Sequence, residues 1–356
     1  MSDLSSTEKT VVFVTGATGF VGRNLVEKLI ETGRHVRCLV RKSSRAEYLS
    51  KMPEVEVFWG ELSDEALLSQ CISGVQEVYH VAGCVATVHF KEMQTVNVVY
   101  TEKIVKICSR QKVPPVMIFV SSLAAAGPSP KNCPHVEGGI SAPVSYYGAS
   151  KLSAEKVLRH YAHMVPITVI RPGIVFGPHD IHFQKWIESV QRMGIFFVPA
   201  YRRMYFSMVY VTDLLRVMIT AAERGERLSG SHDWMVETDM GRGIYYAPAV
   251  GTLSYLQMGR VLGTAVGRRR VITLAASPII FYLICQIGGI FAKFTGKTPI
   301  LNPDKYREAL AGSWACCCEK AASQLGVTSE MSLEEALKKT VEFITDKEKT
   351  VQKTTC

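Results

Sequence analysis

The chain has 356 residues, of which 47% are hydrophobic and 21% are charged, and these proportions exclude a disordered or low-complexity protein. Its 41 Lys and Arg against 32 Asp and Glu give a formal charge of +9, which favours anionic partners such as a phosphorylated cofactor or acidic lipid. No basic run is interleaved with aromatic residues, so the sequence indicates no nucleic-acid partner.

Strands and helices alternate through the first half of the chain. Continuous apolar strands separated by helices are typical of a parallel sheet covered on both faces. We therefore predict an α/β fold, a Rossmann doubly wound parallel sheet with a smaller, mostly C-terminal substrate lobe. The predicted strands are 11–15, 36–40, 55–59, 77–82, 116–121 and 167–171, and the predicted helices are 24–32, 64–72, 94–110 and 147–163.

The regularity fades after residue 177. Helices are predicted at 183–193, 255–266 and 333–345, and 208–223 is predicted as a strand and a helix that return to the main sheet. The predicted domains are an NAD(P)-binding Rossmann domain at 10–177, with 207–225 returning to it, and a substrate-binding lobe at 178–345 that includes an apolar segment at 271–292.

Three glycines follow the first strand and open the first helix with the spacing G-x-x-G-x-x-G, namely Gly16, Gly19 and Gly22. Glycines allow a tight turn and a close backbone approach, and the helix N-terminus offers free N–H groups to a pyrophosphate. An ordinary glycine-rich turn is the alternative, but the strand–loop–helix context favours a dinucleotide site.

The end of the second strand predicts which dinucleotide binds. Sites for NAD place an Asp or Glu there to bind the ribose 2′-OH. Here that position is Val40, and Arg41 follows it. A cation suits a 2′-phosphate, so we favour NADP(H) over NAD(H), the alternative being that Arg41 and Lys42 form a solvated loop.

Tyr147 and Lys151 form a Y-x-x-x-K pair on one face of a predicted helix. A Tyr with a pKa near ~10 is a poor base, and a nearby ammonium stabilises its phenolate. Ser122 follows a strand end, where ligands bind in open α/β sheets, and its hydroxyl is placed to hold a substrate oxygen. The pair alone is common on helices, but downstream of the glycine loop it indicates proton transfer by Tyr147.

These segments together resemble the extended short-chain dehydrogenase/reductases, in their epimerase/dehydratase branch. The matching segments occur in family order: TGATGFVG (15–22), WGELSD (59–64), YHVAG (79–83), VNVVYT (96–101), FVSSLAAAG (119–127), YYGASK (146–151), RPGIVFGP (171–178) and YVTDLL (210–215). The resemblance implies that Tyr147 is the proton donor and acceptor, Lys151 its activator and ribose ligand, and Ser122 the third catalytic residue. With Arg41, the expected cofactor-binding residues are Gly16, Thr18, Gly19, Phe20, Val21, Gly22, Glu61, Leu62, Val81, Ala82, Gly83, Asn97, Tyr147, Lys151, Pro172 and Gly173.

Two positions indicate the substrate class, because their residues differ from those of family members that bind sugar nucleotides. Members that bind sugar nucleotides carry an Asn and an Arg where this chain has Ile174 and Phe206. The chain is more similar to the dihydroflavonol-reductase and 3β-hydroxysteroid-dehydrogenase subgroups. That resemblance implies hydride transfer to or from a carbonyl or secondary alcohol of a largely apolar isoprenoid-, steroid- or flavonoid-like substrate. The alternatives are a nucleotide-sugar epimerase or dehydratase with bound NAD, for which Arg202 and Arg203 provide charge, and a non-catalytic dinucleotide-binding scaffold.

The segment 271–292 contains no Asp, Glu, Lys or Arg, and basic residues flank it. Three interpretations stay open: a helix covered by its own lobe or by the partner in a homodimer, an interfacial helix on anionic lipid, and a membrane span. Because Arg268, Arg269 and Arg270 precede it and Lys293 and Lys297 follow, we expect peripheral association with the cytoplasmic face of a membrane.

The remaining candidates concern thiols and histidines. Ten cysteines without a pairable spacing, three of them at 316–318, predict free thiols in a reducing cytoplasmic compartment. The polar first nine residues predict no signal peptide. No HExxH or paired CxxC motif occurs, so no metal site is expected. His179, Asp180 and His182 lie near the expected mouth of the substrate site, and we favour a loop-capping role, the alternative being pocket residues.

Overall fold

The computed structural model describes residues 9–44, 46–87, 89–130, 133–199, 204–230, 241–295 and 301–354. In chain order the strands are β1 Val11–Thr15, β2 His35–Val40, β3 Val55–Trp59, β4 Glu77–His80, β5 Val116–Val120, β6 Ile167–Arg171, β7 Ile174–Phe176, β8 Ile195–Val198, β9 Tyr205–Tyr210, β10 Ile244–Tyr246, β11 Gly251–Ser254 and β12 Ile272–Ala275. The helices are α1 Phe20–Glu31, α2 Glu65–Ile72, α3 Phe90–Gln94, α4 Tyr100–Ser109, α5 Leu123–Ala126, α6 Tyr146–Tyr161, α7 Ile181–Met193, α8 Val211–Arg224, α9 Tyr255–Ala265, α10 Pro278–Thr295, α11 Pro303–Leu310 and α12 Leu333–Thr354.

A seven-stranded sheet forms the centre of the molecule. Its order is β10-β6-β5-β4-β1-β2-β3, and every neighbouring pair is parallel. The strand order reverses between β1 and β4, which is where the loops of a doubly wound sheet diverge and leave a crevice for a ligand. The predicted Rossmann α/β fold is confirmed.

Two apolar clusters cover the two faces of this sheet. Val12 and Val14 of β1 point towards α1 and α8, whereas Phe13 between them points towards α2, α4 and α6. Successive strand residues face opposite sides, so a run of consecutive apolar residues can be buried on both. This is why the strands of the first half were recognisable as short uninterrupted apolar runs.

The second half of the chain adds two small sheets, ordered β11-β9-β7 and β12-β8. Their apolar side chains form a third cluster with α7, α9 and α12. The prediction that 208–223 returns to the main sheet is wrong for its strand and right for its helix. β9 pairs with β7 and β11, α8 packs on the central sheet, and the strand that returns is β10, too short at three residues to show a periodicity.

Two other predicted helices are divided in the structure. The predicted helix 94–110 consists of α3, a π-helical turn at Thr95–Val99 and α4. The apolar segment 271–292 is strand β12 followed by α10, because Pro278 opens a helix at its first turn and the Ser277 hydroxyl accepts a hydrogen bond from the Ile280 amide at 3.3 Å. A uniformly apolar run carries no period that separates strand from helix.

Helix α10 lies at the surface with most of its apolar side chains exposed. Phe281, Cys285 and Ala292 are buried, and the ring of Pro303 at the start of α11 lies against Gly289. The described part of the lobe therefore covers the inner face of this helix and leaves its outer face exposed. Within the described ranges, no helix combines the length and apolar character that a membrane crossing requires. The exposed apolar residues of α10 are Ile279, Ile280, Tyr282, Leu283, Ile284, Ile287, Ile290, Phe291 and Phe294.

Candidate active site

The glycine loop lies at the carboxyl end of β1. Gly16 has φ +76°, and a Cβ there would lie 2.7 Å from the Ala82 amide nitrogen. A Cβ on Gly22 would overlap the Gly16 carbonyl oxygen. Gly19 caps α1 without any side-chain hydrogen bond, and the first turn of α1 contains no acidic residue. The free N–H groups and the positive end of the helix dipole therefore fit a pyrophosphate.

The ends of β2 and β3 continue the same edge of the sheet. Arg41 follows β2 with an exposed side chain, and Glu61 and Leu62 follow β3. The two strand ends are joined by a hydrogen bond from the Gly60 amide to the Val40 carbonyl at 2.9 Å. The residues expected at the adenosine end of a dinucleotide thus lie at one edge, on loops that follow neighbouring strands.

The end of β4 is tied to β1 through a buried histidine. His80 shares hydrogen bonds with the Thr15 hydroxyl at 2.7 Å and the Thr101 hydroxyl at 2.9 Å, and the Ala82 amide donates to Thr15 at 3.2 Å. Burial, with the nearby charge of Lys151, lowers the pKa of His80 to about 3. His80 is therefore neutral at ordinary pH and fixes the backbone of the trough that continues through Val81.

Asn97 joins the loop after β4 to helix α6. Its Oδ1 accepts from the Cys84 amide at 2.7 Å, and its Nδ2 donates to the Cys84 carbonyl and the Ser150 hydroxyl, both at 2.9 Å. The Ser150 hydroxyl donates in turn to the Tyr147 carbonyl at 2.7 Å. Asn97 lies in the π-helical turn, a distortion that is frequent at functional sites.

Lys151 is buried on α6 beneath the trough. Its Nζ donates to the Val120 carbonyl at 2.8 Å and lies 4.6 Å from the centre of the Phe119 ring. The backbone at Gly83 passes so near that a Cβ there would lie 3.2 Å from Nζ. Burial lowers the pKa of Lys151 to about 8, and the negative charge of Glu155 opposes that shift.

Tyr147 lies one turn before Lys151 on α6 and hydrogen-bonds the side chain of Ser122. Burial raises the pKa of Tyr147 above its usual value, the hydrogen bond from Ser122 lowers it, and the charge of Glu308 raises it. The phenol is therefore protonated at neutral pH. Ser122 caps α5 by accepting from the Ala124 amide at 3.1 Å, which fixes its position at the end of β5.

Pro172 and Gly173 follow β6 beside this pair. The Pro172 carbonyl accepts from the Leu123 amide at 2.9 Å, and the backbone of Gly173 lies against the Ser207 carbonyl, so closely that a Cβ would clash. The structure therefore places all the sequence-predicted site residues along the carboxyl edge of the central sheet. Thr18, Phe20 and Val21 complete the glycine loop and the first turn of α1.

Sequence reasoning missed a buried ion pair beneath the site. Arg171 at the end of β6 contacts Glu155 of α6 through Nη2–Oε2 at 2.6 Å and Nε–Oε1 at 3.0 Å. The Ser121 hydroxyl donates to the same carboxylate. A weak signal existed, because Glu155 follows Lys151 by one helical turn and faces the same side.

It also missed two carboxylates of α11 that contact the start of α6. Asp304 accepts from the Tyr146 amide at 2.7 Å and the Tyr147 amide at 3.1 Å, and Glu308 accepts from the Ser145 hydroxyl at 2.7 Å. These contacts join positions more than 150 residues apart, and no local pattern marks them.

Apolar side chains occupy the two positions that mark sugar-nucleotide binding. Ile174 is partly buried in β7, and Phe206 is buried in the third cluster with its ring centre 4.8 Å from that of Tyr255. Neither offers a contact to a diphosphate. The expected contribution of Arg202 and Arg203 lies outside the described residues.

Among residues 179–182, the capping interpretation is confirmed for Asp180. Asp180 accepts from the His182 amide at 2.9 Å and the Phe183 amide at 3.2 Å at the start of α7. His179 instead packs edge-on against Phe343. The nine cysteines in the described part of the chain are all unpaired, and no three His, Cys, Asp or Glu side chains there are grouped as a metal site would require.

Comparison with known proteins shows a family and several relatives to which this chain is similar. The model of the NAD dependent epimerase/dehydratase family matches residues 12–236, more than half of the chain. The chain is 31% identical over 225 residues to a Synechocystis protein provisionally named dihydroflavonol 4-reductase (60% of this chain, 63% of that protein). It is 29% identical over 219 residues to sterol demethylase protein B of Methylococcus capsulatus (60% and 66%). The matches thus span just under two thirds of each relative.

Among solved structures, the fold is similar to that of UDP-glucuronic acid 4-epimerase from Bacillus cereus, solved with UDP-glucuronic acid and NAD. The TM-score is 0.72 at 19% identity, over 94% of this chain and 99% of that one. At this identity the likeness concerns the fold.

Proposed function

The chain belongs to the NAD dependent epimerase/dehydratase family of extended short-chain dehydrogenase/reductases, and from that premise we propose that it is an NADP(H)-dependent oxidoreductase. It transfers a hydride to or from a carbonyl or secondary alcohol of a largely apolar substrate. The observation that carries this proposal is the hydrogen-bonded pair Ser122–Tyr147 with Lys151 one turn along the same helix. All three lie at the edge of the sheet where the glycine loop also lies.

Each of the three side chains has a separate role. A nicotinamide dinucleotide held at the glycine loop would, when bound, supply or accept the hydride. In the direction of reduction Ser122 holds the substrate oxygen, and Tyr147 donates its proton to that oxygen. The burial that raises the pKa of Tyr147 keeps the proton in place until the substrate arrives, and the Lys151 ammonium stabilises the phenolate that remains. In the direction of oxidation the proton moves the opposite way.

The preference for NADP(H) rests on the end of β2. Arg41 is exposed beside the carboxyl edge, and Val40 occupies the place where an NAD site carries an acid. Calorimetric titration with NADPH and NADH tests this. Arg41→Ala should weaken NADPH binding by about 10- to 100-fold and leave NADH unchanged, since an ionic hydrogen bond contributes about 1.5–3 kcal/mol. The neighbouring Lys42→Ala is the control, and equal loss for both nucleotides would contradict the preference.

The apolar substrate is supported by the packing of the second half of the chain. Residues 178–345 form the substrate lobe in this proposal, apart from α8 and β10, which belong with residues 10–177 to the cofactor domain. Ile174 is partly buried and Phe206 is buried, and neither carries a charge where a diphosphate would need one. The names of the two relatives, a sterol and a flavonol enzyme, indicate the same kind of substrate. Steroid, isoprenoid and flavonoid ketones are therefore the substrates to assay first.

Reduction of such ketones with NADPH, followed at the nicotinamide absorbance, tests the proposal. Tyr147→Phe should retain cofactor binding and lose turnover. Wild-type rates in this variant would overturn the mechanism. If denatured protein releases NAD and the native protein converts UDP-sugars, the nucleotide-sugar epimerase replaces this proposal. If nothing is converted and cofactor still binds, the chain is a dinucleotide-binding scaffold.

We also propose that α10 places the enzyme on the cytoplasmic face of an anionic membrane. Its apolar side chains are exposed, the exposed Arg269 and Arg270 precede it in the chain with β12 between, and each basic residue near an anionic surface contributes about 1 kcal/mol. Arg268 is not included because its guanidinium donates to the Gln191 and Arg192 carbonyls at 2.6–3.0 Å.

Flotation with liposomes tests this association. Wild-type protein should float with anionic vesicles and less so in high salt, since salt screens surface charge. In the double variant Arg269→Glu/Arg270→Glu, each substitution replaces an attraction of about 1 kcal/mol by a repulsion of similar size. The free energy of membrane binding should therefore weaken by roughly 4 kcal/mol. The control is Arg110→Glu/Lys112→Glu on the central domain. If wild-type protein stays off anionic vesicles and is dimeric, the face of α10 is a subunit interface instead.

A further inference from the structure

The start of α6 is held by a carboxylate from a different part of the chain. The first N–H groups of a helix have no partner within it. At α6 the Gly148 amide donates to the Ser145 hydroxyl at 2.9 Å, the Tyr146 amide donates to Asp304 Oδ1 at 2.7 Å, and the Tyr147 amide donates to Asp304 Oδ2 at 3.1 Å. A negative charge at this end also complements the helix dipole. Two of the three first-turn amides therefore depend on one side chain.

Asp304 is itself held in place. It is only 8% exposed, and the Asn302 side chain caps α11 by accepting from the Asp304 amide at 3.0 Å and the Lys305 amide at 3.1 Å. Arg307 lies 3.5 Å from Asp304 Oδ1 on the open side. The carboxylate thus meets α6 from a capped helix, with little freedom to reorient.

A second carboxylate of α11 orients the remaining cap. Glu308 Oε1 accepts from the Ser145 hydroxyl at 2.7 Å, which leaves a lone pair of that hydroxyl for the Gly148 amide. Glu308 Oε2 pairs with Lys305 at 2.6 Å, and the Lys305 Nζ lies 5.4 Å from the centre of the Tyr147 ring. Helix α11 therefore contacts the first turn of α6 at its backbone and at its aromatic face.

Helix α11 rests in turn on α10. The Tyr306 ring centre lies 5.9 Å from that of Phe281 and 5.2 Å from that of Tyr282. On the other side Pro303 lies against Gly289. The helix that presents Asp304 to α6 is thus supported by the apolar helix of the substrate lobe.

We propose that Asp304 is a positioning residue for Tyr147: the Asp304 carboxylate fixes the backbone at the start of α6 and so sets the Tyr147 phenol against Ser122. This inference rests on the proposed role of Tyr147 in proton transfer. Tyr147 is the second residue of α6, where fraying of one turn displaces the side chain directly. A displacement of about 1 Å in a reacting group lowers turnover on the order of 10²-fold.

The first test observes Tyr147 without requiring activity. The full-length protein is labelled with tyrosine carrying ¹³C at Cζ, and Tyr147→Phe identifies the Tyr147 resonance. Asp304→Ala removes both acceptors and Asp304→Asn removes one, so both should shift this resonance, the Ala variant more. The control is Ser332→Ala, which removes the hydrogen bond of the Glu335 amide to the Ser332 hydroxyl at the start of α12 and should leave the resonance unchanged.

The second test is kinetic and uses the same variants with NADPH and a steroid ketone. Asp304→Ala should lower kcat on the order of 10²-fold, Asp304→Asn by less, and the KM for NADPH should stay unchanged. The pH profile of kcat should also shift, because Tyr147 moves relative to Ser122. A role confined to stability would change neither the profile nor kcat in protein that remains folded.

The outcomes separate this inference from the proposed function. If the Tyr147 resonance is unchanged in both Asp304 variants, the inference is overturned whether or not the protein transfers hydride. A shifted resonance with unchanged kcat and pH profile overturns it as well. If the resonance shifts while wild-type protein reduces no ketone, the proposed function fails and Asp304 still positions Tyr147.

Discussion

Removing Glu155 should destabilise the protein strongly, because it leaves the Arg171 guanidinium buried without a counter-charge. Both side chains are 3% exposed, and two N–O contacts of 2.6 and 3.0 Å join them. Breaking a buried pair from one side costs about 3–5 kcal/mol. Ser121 also loses its acceptor in Glu155→Ala. We therefore expect a loss of about 4 kcal/mol.

The double variant Glu155→Leu/Arg171→Met separates burial of a charge from loss of a contact. Replacing a whole buried pair by apolar groups of similar size is often neutral or stabilising. The double variant should thus recover most of the stability that Glu155→Ala loses. Loss of the Glu155 charge should also lower the pKa of Lys151 further, since that charge now opposes the effect of burial.

Urea unfolding followed by circular dichroism measures these free energies. The matched control is Glu65→Ala, because Glu65 pairs with Arg110 at 3.3 Å while the two side chains are 54% and 58% exposed. Such a surface pair contributes about 0–1 kcal/mol. The reasoning is refuted if Glu155→Ala loses no more stability than Glu65→Ala, or if the double variant is no more stable than Glu155→Ala.

Three further changes test other parts of the site. Gly16→Ala should weaken NADPH at least about tenfold in fluorescence titrations, since φ is +76° and the new Cβ would lie 2.7 Å from the Ala82 amide nitrogen. Lys151→Met should raise the unfolding temperature at pH 7, because the folded pKa of about 8 is below the unfolded value of 10.5. Below pH 8 the buried ammonium therefore lowers the stability of the wild-type protein. The difference in unfolding temperature between Lys151→Met and wild type should shrink as the pH rises from 8 to 10.5, in thermal unfolding measured at several pH values. Ser122→Ala removes the hydrogen bond that lowers the pKa of Tyr147, so the pH profile for alcohol oxidation should move to higher pH; an unmoved profile would show that Ser122 does not act on Tyr147.

The central sheet and the position of the site were predictable because local patterns determine them. Strand β1 agrees with the predicted range to the residue, since a buried parallel strand is a short apolar run between polar loops. Gly16 was recognisable because the turn after β1 requires a φ of +76°, which favours glycine. The Tyr147–Lys151 pair was recognisable because its spacing of four residues places both side chains on one face of a helix. The placement of the glycine loop beside α6 follows from the strand order.

The remaining features depend on contacts between distant positions. Asp304 reaches the start of α6 across more than 150 residues, and its own sequence surroundings show only an ordinary helix start. The π-helical turn at Thr95–Val99, which contains Asn97, is set by i→i+5 backbone hydrogen bonding that no residue type there marks in the sequence. The segment 271–292 carries no charge, so its hydropathy showed neither the strand β12 nor the exposed face of α10, and only Pro278 marked where the helix begins.

The most direct test of the proposed oxidoreductase uses NADPH deuterated at nicotinamide C4 with a panel of steroid, isoprenoid and flavonoid ketones, and mass analysis of the alcohol. The account predicts one deuterium on the reduced carbon with wild-type protein, and no product with Tyr147→Phe at the same cofactor occupancy. Alcohol without deuterium, or labelled alcohol formed at the wild-type rate by Tyr147→Phe, would contradict it.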